Sequence, residues 1–176
     1  MITDLYSERL HLRKMSTDDA PSLFNIWSDA EVTEFMNIDP FSNEDQAKEM
    51  ITSLDQLSRE EKAIRYSIIE LISNRIIGSC GFNSIDAENA KAEIGYDLSR
   101  TYWGKGYATE AVTTLLQHAF HSLKLNRVEA KVEPENVASI KLLQKLNFTF
   151  EGTLRQSEKS KGRFIDLHLY SKLKND

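Results

Sequence analysis

The segment Tyr102-Trp103-Gly104-Lys105-Gly106 stands directly before a long helical pattern, and its residue types are the plainest chemical signal in this 176-residue chain. Two glycines one residue apart let the backbone turn sharply and aim several N–H groups at one point. The start of the following helix adds partial positive charge, so the place suits a phosphate or pyrophosphate, with Lys105 as a further contact. The run Gly104-x-Gly106-x-x-Thr109 narrowly misses the dinucleotide fingerprint G-x-G-x-x-G. Its context differs as well, because Ser99 to Trp103 separate it from the preceding strand and no second βαβ half follows. Nothing matches the G-x-x-x-x-G-K-[ST] phosphate loop, so nicotinamide and nucleoside triphosphate sites are disfavoured. A second signal is Gly95, inside the alternating stretch Ala92 to Leu98. Glycine within a strand marks a bulge, a close approach of ligand or backbone, or simply a weak spot.

The elements that must hold these residues follow from periodicity. Leu10 to Met15 alternates and predicts a first strand. Thr17 or Asp18 then caps a helix carrying Leu23, Phe24, Ile26 and Trp27. Asp39-Pro40 marks a loop, and Ser42 or Asn43 caps a second helix that buries Ala47, Ile51 and Leu54. Tyr66 to Ile72 and Arg75 to Phe82 read as a hairpin across Ser73-Asn74, with Ala92 to Leu98 as the next strand. Ala108, Ala111, Val112, Leu115, Leu116, Ala119, Phe120 and Leu123 form one buried stripe of a long helix. Leu125 to Glu133 is a further strand, and Asn136 caps a helix with Ile140, Leu143 and Leu146 inward. Asn147 occupies the position of a left-handed terminator. Phe148 to Arg155 and Arg163 to Tyr170 complete a final hairpin across Lys159 to Gly162. The order is βαα, a β-meander, then αβα and ββ, which is a mixed α/β fold.

Length and composition predict a single domain over residues 1–176 with a substantial core. Pro and Gly together number 10, so no flexible linker is evident. The 22 basic and 27 acidic residues give a net charge of −5, which argues against general nucleic-acid affinity. Of these, 15 acids and 7 bases fall in residues 1–70. An acidic front and a mildly basic back fit a cationic substrate beside an anionic cofactor, although a solvated surface gives the same pattern. The longest uncharged stretch, Ala111 to Leu123, is too short and too polar to span a membrane. No apolar signal core follows the N-terminal residues, and a cytoplasmic location is expected.

Cys80 is the only cysteine, so no internal disulfide is expected. It lies among apolar strand residues, as an inert buried cysteine does. His118 and His121 lack partners at metal-ligand spacing, and no metal is expected; His11 and His168 read as surface strand residues. Trp27, Phe35, Met36 and Phe41 lie on the first helix and the loop after it, with core packing the default for Trp27.

The run AEIGYDLSRTYWGKGYATEA, followed by LNRVEAKVEPENVASIKLLQKLNF, resembles the GNAT superfamily of acetyl-CoA-dependent N-acetyltransferases. Within it, the chain is similar to the RimJ/RimL-like branch, which includes ribosomal-protein N-terminal acetyltransferases. The resemblance runs from SERLHLRKM to the final hairpin. It implies a mostly antiparallel sheet of six to seven strands, splayed between the fourth and fifth and flanked by four helices. It also implies acetyl-CoA as cosubstrate. The family's pyrophosphate loop, Arg/Gln-x-x-Gly-x-Gly/Ala, falls on Thr101 to Gly106. Thr101 departs from the usual Arg or Gln and implies altered affinity. Cofactor contacts are implied for Ile94, Gly95, Tyr96, Thr101, Trp103, Gly104, Lys105, Gly106, Tyr107, Ala108, Thr109, Asn136 and Ser139. The strand holding Glu93 to Tyr96 is implied to pair with the pantetheine arm, its bulge turning an N–H to the thioester carbonyl. The loop after the first helix is implied to wall the acceptor pocket.

Amide formation needs a base for the protonated amine, a donor for the developing oxyanion and an acid for the leaving thiolate. By resemblance, Glu93 is the candidate base, through a water. The backbone N–H near Ile94 or Gly95 is the oxyanion donor, and Ser139 donates to the sulfur. Direct transfer in a ternary complex is expected, without an acyl-enzyme. The alternative for Glu93 is a solvated strand residue, and for Ser139 an ordinary first-turn residue. The acceptor stays open between a protein N-terminal amine and a small amine such as a polyamine or aminoglycoside, and the assembly between monomer and homodimer. A non-catalytic acyl-CoA-binding module is the rival of a different class.

Overall fold

The computed structural model describes residues 3–176. Its elements are β1 (Leu5–Tyr6), β2 (Leu10–Lys14), α1 (Ala20–Trp27), α2 (Glu44–Arg59), β3 (Ile64–Glu70), β4 (Arg75–Asp86) and β5 (Lys91–Leu98). They continue with α3 (Tyr107–Gln117), β6 (Arg127–Val132), α4 (Val137–Lys145), β7 (Thr149–Ser160) and β8 (Arg163–Leu173). The strands make one sheet in the order β1-β2-β3-β4-β5-β6-β8-β7. Every pairing is antiparallel except β5 with β6.

The mixed α/β class, the mostly antiparallel sheet and the four helices are as the sequence leads one to expect. The strand count is corrected to eight. Leu5 and Tyr6 pair with Leu12 and His11, an addition too short for any periodicity to reveal. That extra strand moves the splay from the fourth and fifth strands to the fifth and sixth. The last hairpin is also longer than its apolar pattern, running to Ser160 and turning through Lys161-Gly162. Ser16, not Thr17 or Asp18, caps the turn before α1. Leu71 and Ile72 leave the third strand for a four-residue turn closed by Asn74 N–H to Glu70 O at 2.8 Å. His11 is stacked on Tyr6 at 4.3 Å between centroids and paired with Asp4, so its ring is more covered than a surface residue's.

Two apolar clusters sandwich the sheet. On one side Leu10, Leu12, Ile68, Phe82, Ala92 and Ile94 meet Ala111, Val112 and Leu115 of α3. On the other, Leu23, Ile26 and Trp27 of α1 pack with Ala47 and Ile51 of α2. The alternation in β5 decides which side each residue faces. Ala92 and Ile94 enter the α3 core, so Glu93, Gly95 and Asp97 face the α1–α2 side. At the end of α4, Phe148 N–H bonds Leu143 O at 2.9 Å and Asn147 N–H bonds Gln144 O at 3.0 Å. Asn147 takes φ 62°, the left-handed termination its residue type anticipates.

Candidate active site

β5 and β6 pair only at Lys91–Arg127, Ala92–Val128 and Glu93–Glu129. Beyond Glu93 they separate, and the β6-side edge of Ile94 to Leu98 is left without a strand partner. A cleft of about 1070 Å³ opens there and continues to the start of α3 and across to the α1–α2 loop. An unpaired strand edge inside a cleft is a template for any extended ligand that offers amides.

At one end of the cleft lies the glycine loop. Gly104 and Gly106 take φ of 74° and 82°, left-handed values that favour glycine. Helical hydrogen bonding resumes only with Glu110 N–H to Gly106 O at 3.1 Å. The first-turn amides of Tyr107, Ala108 and Thr109 therefore have no carbonyl within α3 to bond. Trp103 is pinned beside them by its indole N–H on Leu98 O at 2.7 Å. Trp103, Gly104, Gly106, Tyr107, Ala108 and Thr109 all line the cleft, whereas Thr101 and Lys105 do not. Lys105 lies instead over the Tyr102 ring, 5.7 Å from its centroid.

In the middle, Ile94, Gly95 and Tyr96 of β5 face Asn136 and Ser139 across the opening. Asn136 caps α4 through Ser139 N–H at 3.3 Å, which fixes the serine at the cleft wall. Tyr96 OH donates to Ser139 Oγ at 3.4 Å, a side-chain contact that the strand pattern alone did not reveal. Burial raises the Tyr96 phenol above its ordinary pKa, so it stays a donor. With one lone pair of Ser139 Oγ so occupied, the serine's own O–H is free to donate elsewhere.

Glu93 lines the opposite face and is held by two groups. Asn83 Nδ2 donates to its Oε2 at 3.2 Å, and Lys131 Nζ lies 3.1 Å from its Oε1. The bulge expected in β5 is in β4: Phe82 opposes Ile94 and Ser84 opposes Glu93, leaving Asn83 as the extra residue. A bulge re-aims a side chain, and here it turns Asn83 onto Gly95 and Glu93. A Cβ on Gly95 would lie 2.6 Å from Asn83 Nδ2, so the glycine's role includes room for this amide. Asn83 Oδ1 in turn accepts from Arg65 Nη1 at 3.1 Å. Arg65 is paired below with Ser79 and with Asp97, 3.4 Å away. Burial raises the Asp97 carboxyl pKa, partly offset by Arg65 and Ser79. Asn83, Arg65, Asp97 and Lys131 come from three different strands beside β5's own, and no local pattern marks them.

The far end of the cleft is walled by Phe35 and Met36 and carries Glu34, Glu133 and Glu158, whereas Glu31, also in the lining, pairs with Arg100 at 3.2 Å. Phe41 instead packs edge-on against Trp27 at 5.9 Å. Two side chains hold the α1–α2 loop against the last hairpin. Lys161 Nζ donates to Thr33 O at 2.6 Å and Glu34 O at 3.0 Å, and Asn37 Nδ2 donates to Glu158 Oε1 at 2.9 Å and Lys159 O at 3.3 Å. Glu133 is 8% exposed, and burial raises its carboxyl pKa against the pull of Arg163, 4.0 Å away. A carboxyl with a raised folded value binds its proton more tightly when folded, so its contribution to stability falls as pH rises through the carboxylate range. Glu133→Gln is therefore expected to raise the thermal midpoint at pH 8 and to give no gain near pH ~4, below the unfolded glutamate value. A lower midpoint at pH 8 would mean that pairing with Arg163 outweighs the cost of burial.

Among the described residues no group of His, Cys, Asp and Glu is arranged to hold a metal, and no helix is long and apolar enough to cross a membrane. Cys80 is fully buried and burial pushes its thiol pKa up to about 12. Neither cysteine nor histidine chemistry enters the cleft.

Comparison with known proteins agrees with this geometry. The family model described as an acetyltransferase (GNAT) domain matches residues 9–149. An uncharacterized N-acetyltransferase, p20 of Bacillus licheniformis, is 56% identical over 172 residues, covering 98% of this chain and 97% of its own. The ribosomal-protein-serine acetyltransferase of Escherichia coli is 32% identical over 100 residues, 57% of this chain and 56% of its own. Among solved structures, the microcin C7 self-immunity acetyltransferase MccE, in complex with acetyl-CoA and AMP, superposes with a TM-score of 0.87. It is 27% identical, and the match covers 95% of this chain and 93% of that one. A cleft formed by a splayed strand pair, closed at one end by a glycine loop at a helix start, thus meets a family match over most of the sequence, and the chain belongs to the GNAT family of acetyltransferases.

Proposed function

We propose that this chain transfers the acetyl group of acetyl-CoA to a primary amine, by direct attack with both substrates bound. The observation that carries the reading is the separation of β5 from β6 beyond Glu93, in line with the free amides at the start of α3. The residues present fit the cosubstrate: Gly104, Gly106, Tyr107, Ala108 and Thr109 offer N–H groups to a pyrophosphate, and the β5 edge offers pairing to an amide-bearing arm. Acetyl-CoA supplies an activated acyl group on a thiolate leaving group. Glu93, through a water, removes the proton that the ammonium must lose before it attacks the carbonyl carbon. A backbone N–H at Ile94 or Gly95 stabilises the oxyanion that forms. When the C–S bond breaks, Ser139 gives its hydroxyl proton to the sulfur and is reprotonated by the second proton that the nitrogen releases as the amide forms, with Tyr96 OH hydrogen-bonded to Ser139 Oγ throughout.

For the acceptor, the three glutamates at the far end, Glu34, Glu133 and Glu158, favour a cation. We infer a protein N-terminal amine, supported by the likeness to the ribosomal-protein-serine acetyltransferase over part of the chain. The ties from Lys161 and Asn37 across that end favour a second reading, a compact small amine such as a polyamine. A panel of short peptides with free N-termini, polyamines and aminoglycosides decides between them. Acetylation at the α-amine of peptides alone supports the first reading, and acetylation of small amines alone overturns it.

A further inference from the structure

Arg9 lies in the turn between β1 and β2, about 100 residues before the glycine loop in sequence, and does not line the cleft. Its side chain nevertheless touches that loop from one side to the other. Arg9 Nη1 donates to Lys105 O at 2.9 Å. Its Nη2 lies 3.3 Å from where a Cβ on Gly106 would stand. The guanidinium carbon sits 4.2 Å over the centroid of the Tyr107 ring. Arg9 Nε donates to Glu110 Oε1 at 2.7 Å, and the Arg9 backbone N–H donates to Oε2 at 2.8 Å. Ser7 donates to the same carboxylate, and Tyr107 OH donates to Glu70 of β3. One guanidinium thus binds the residue before Gly106, packs on Gly106 and stacks on the residue after it. It also anchors the first turn of α3.

A loop with two left-handed glycines has little shape of its own, because glycine loses more freedom on ordering than any other residue. To point its N–H groups at an anion it must turn carbonyls the other way, and a carbonyl turned outward needs a donor. Lys105 O finds that donor in Arg9. We propose that Arg9 is a positioning residue for the cosubstrate, holding the 104–106 loop and the start of α3 in the shape that receives the pyrophosphate. The inference rests on the reading of the cleft as an acetyl-CoA site. Lysine is a poor substitute, since a compact ammonium cannot span Glu110 and Lys105 O while lying flat on Tyr107.

The test compares acetyl-CoA with S-acetyl-N-acetylcysteamine, a thioester that lacks the pyrophosphate and nucleotide. The full chain is used with Arg9→Met and, as the milder change, Arg9→Lys. Losing hydrogen bonds made by a charged group predicts a rise of about 10- to 100-fold in the acetyl-CoA KM of Arg9→Met. Its kcat should stay within about twofold, because the groups that meet the reacting atoms are untouched. Arg9→Lys should show a smaller KM rise in the same direction, and neither variant should change the rate with the short thioester. Equal losses with both thioesters would show a merely structural role and overturn the proposal, as would an unchanged acetyl-CoA KM in either variant. A wild-type chain that fails to prefer acetyl-CoA over the short thioester would instead overturn the reading of the loop itself.

Discussion

Glu93→Gln is expected to lose ~10²- to 10⁴-fold in kcat while still binding acetyl-CoA, the loss typical when a positioned general base is removed. The substitution is nearly isosteric, so Lys131 and Asn83 keep a side chain of the same reach between them. What disappears is the ability to take a proton from the incoming ammonium. The groups proposed to hold the cosubstrate, the β5 edge, Asn136 and the glycine loop, line the cleft, and the Glu93 carboxylate is bonded to Asn83 and Lys131 instead. Steady-state rates across pH 6–9, with cosubstrate binding measured in parallel, check both halves. Turnover equal to the wild type over that range would remove Glu93 from the mechanism. Loss of binding together with turnover would give it a structural role instead.

Gly78→Ala is expected to destabilise the fold by roughly 3 kcal/mol, the upper end of what overpacking costs. Gly78 sits in β4 between β3 and β5, opposite Leu98 on one side and Ile68 on the other. A Cβ there would lie 2.2 Å from Asp97 O and 3.0 Å from Leu98 Cα. Both are backbone atoms of β5, so no side chain can swing away; the strand itself must move. For a chain of this size the cost corresponds to a fall of about 6–12 °C in the thermal midpoint. Activity should fall as well, because the displaced strand carries Glu93, Gly95 and Asp97. A midpoint within 2 °C of wild type, on the order of a surface substitution, would contradict the close β4–β5 approach.

The helices and the meander are legible in the sequence because their signals are local. The stripe from Ala108 to Leu116 in α3, the Asn43 and Asn136 caps and the Asn147 terminator each depend on residues within a few positions of one another. Past α3 the chain gives way to a π-helical turn over His118–Ser122, where the apolar stripe predicts one longer α-helix. The glycine loop is legible for the same reason, since two left-handed residues at a helix start call for glycine. By contrast, Thr101 and Lys105 stand in the motif, yet the turn that precedes α3 directs them out of the cleft. Leu5 and Tyr6 are too few to show a period. The β4 bulge at Asn83 arises from the pairing register of two strands, which neither strand encodes alone. Glu93 could be placed on a face by alternation, but Asn83 and Lys131 reach it only once three strands are assembled. Arg9 is a further case, a side chain whose partners lie 96 and 101 residues away.

The most direct measurement is the thermal midpoint of the purified chain as acetyl-CoA is added, with NADH as the control. A ligand at 100 times its dissociation constant adds ~2.7 kcal/mol of stability. For a chain of this size that corresponds to a rise of roughly 5–10 °C with acetyl-CoA and none with NADH. No rise at saturating acetyl-CoA would contradict the assignment of the splayed cleft and its glycine loop as the cosubstrate site.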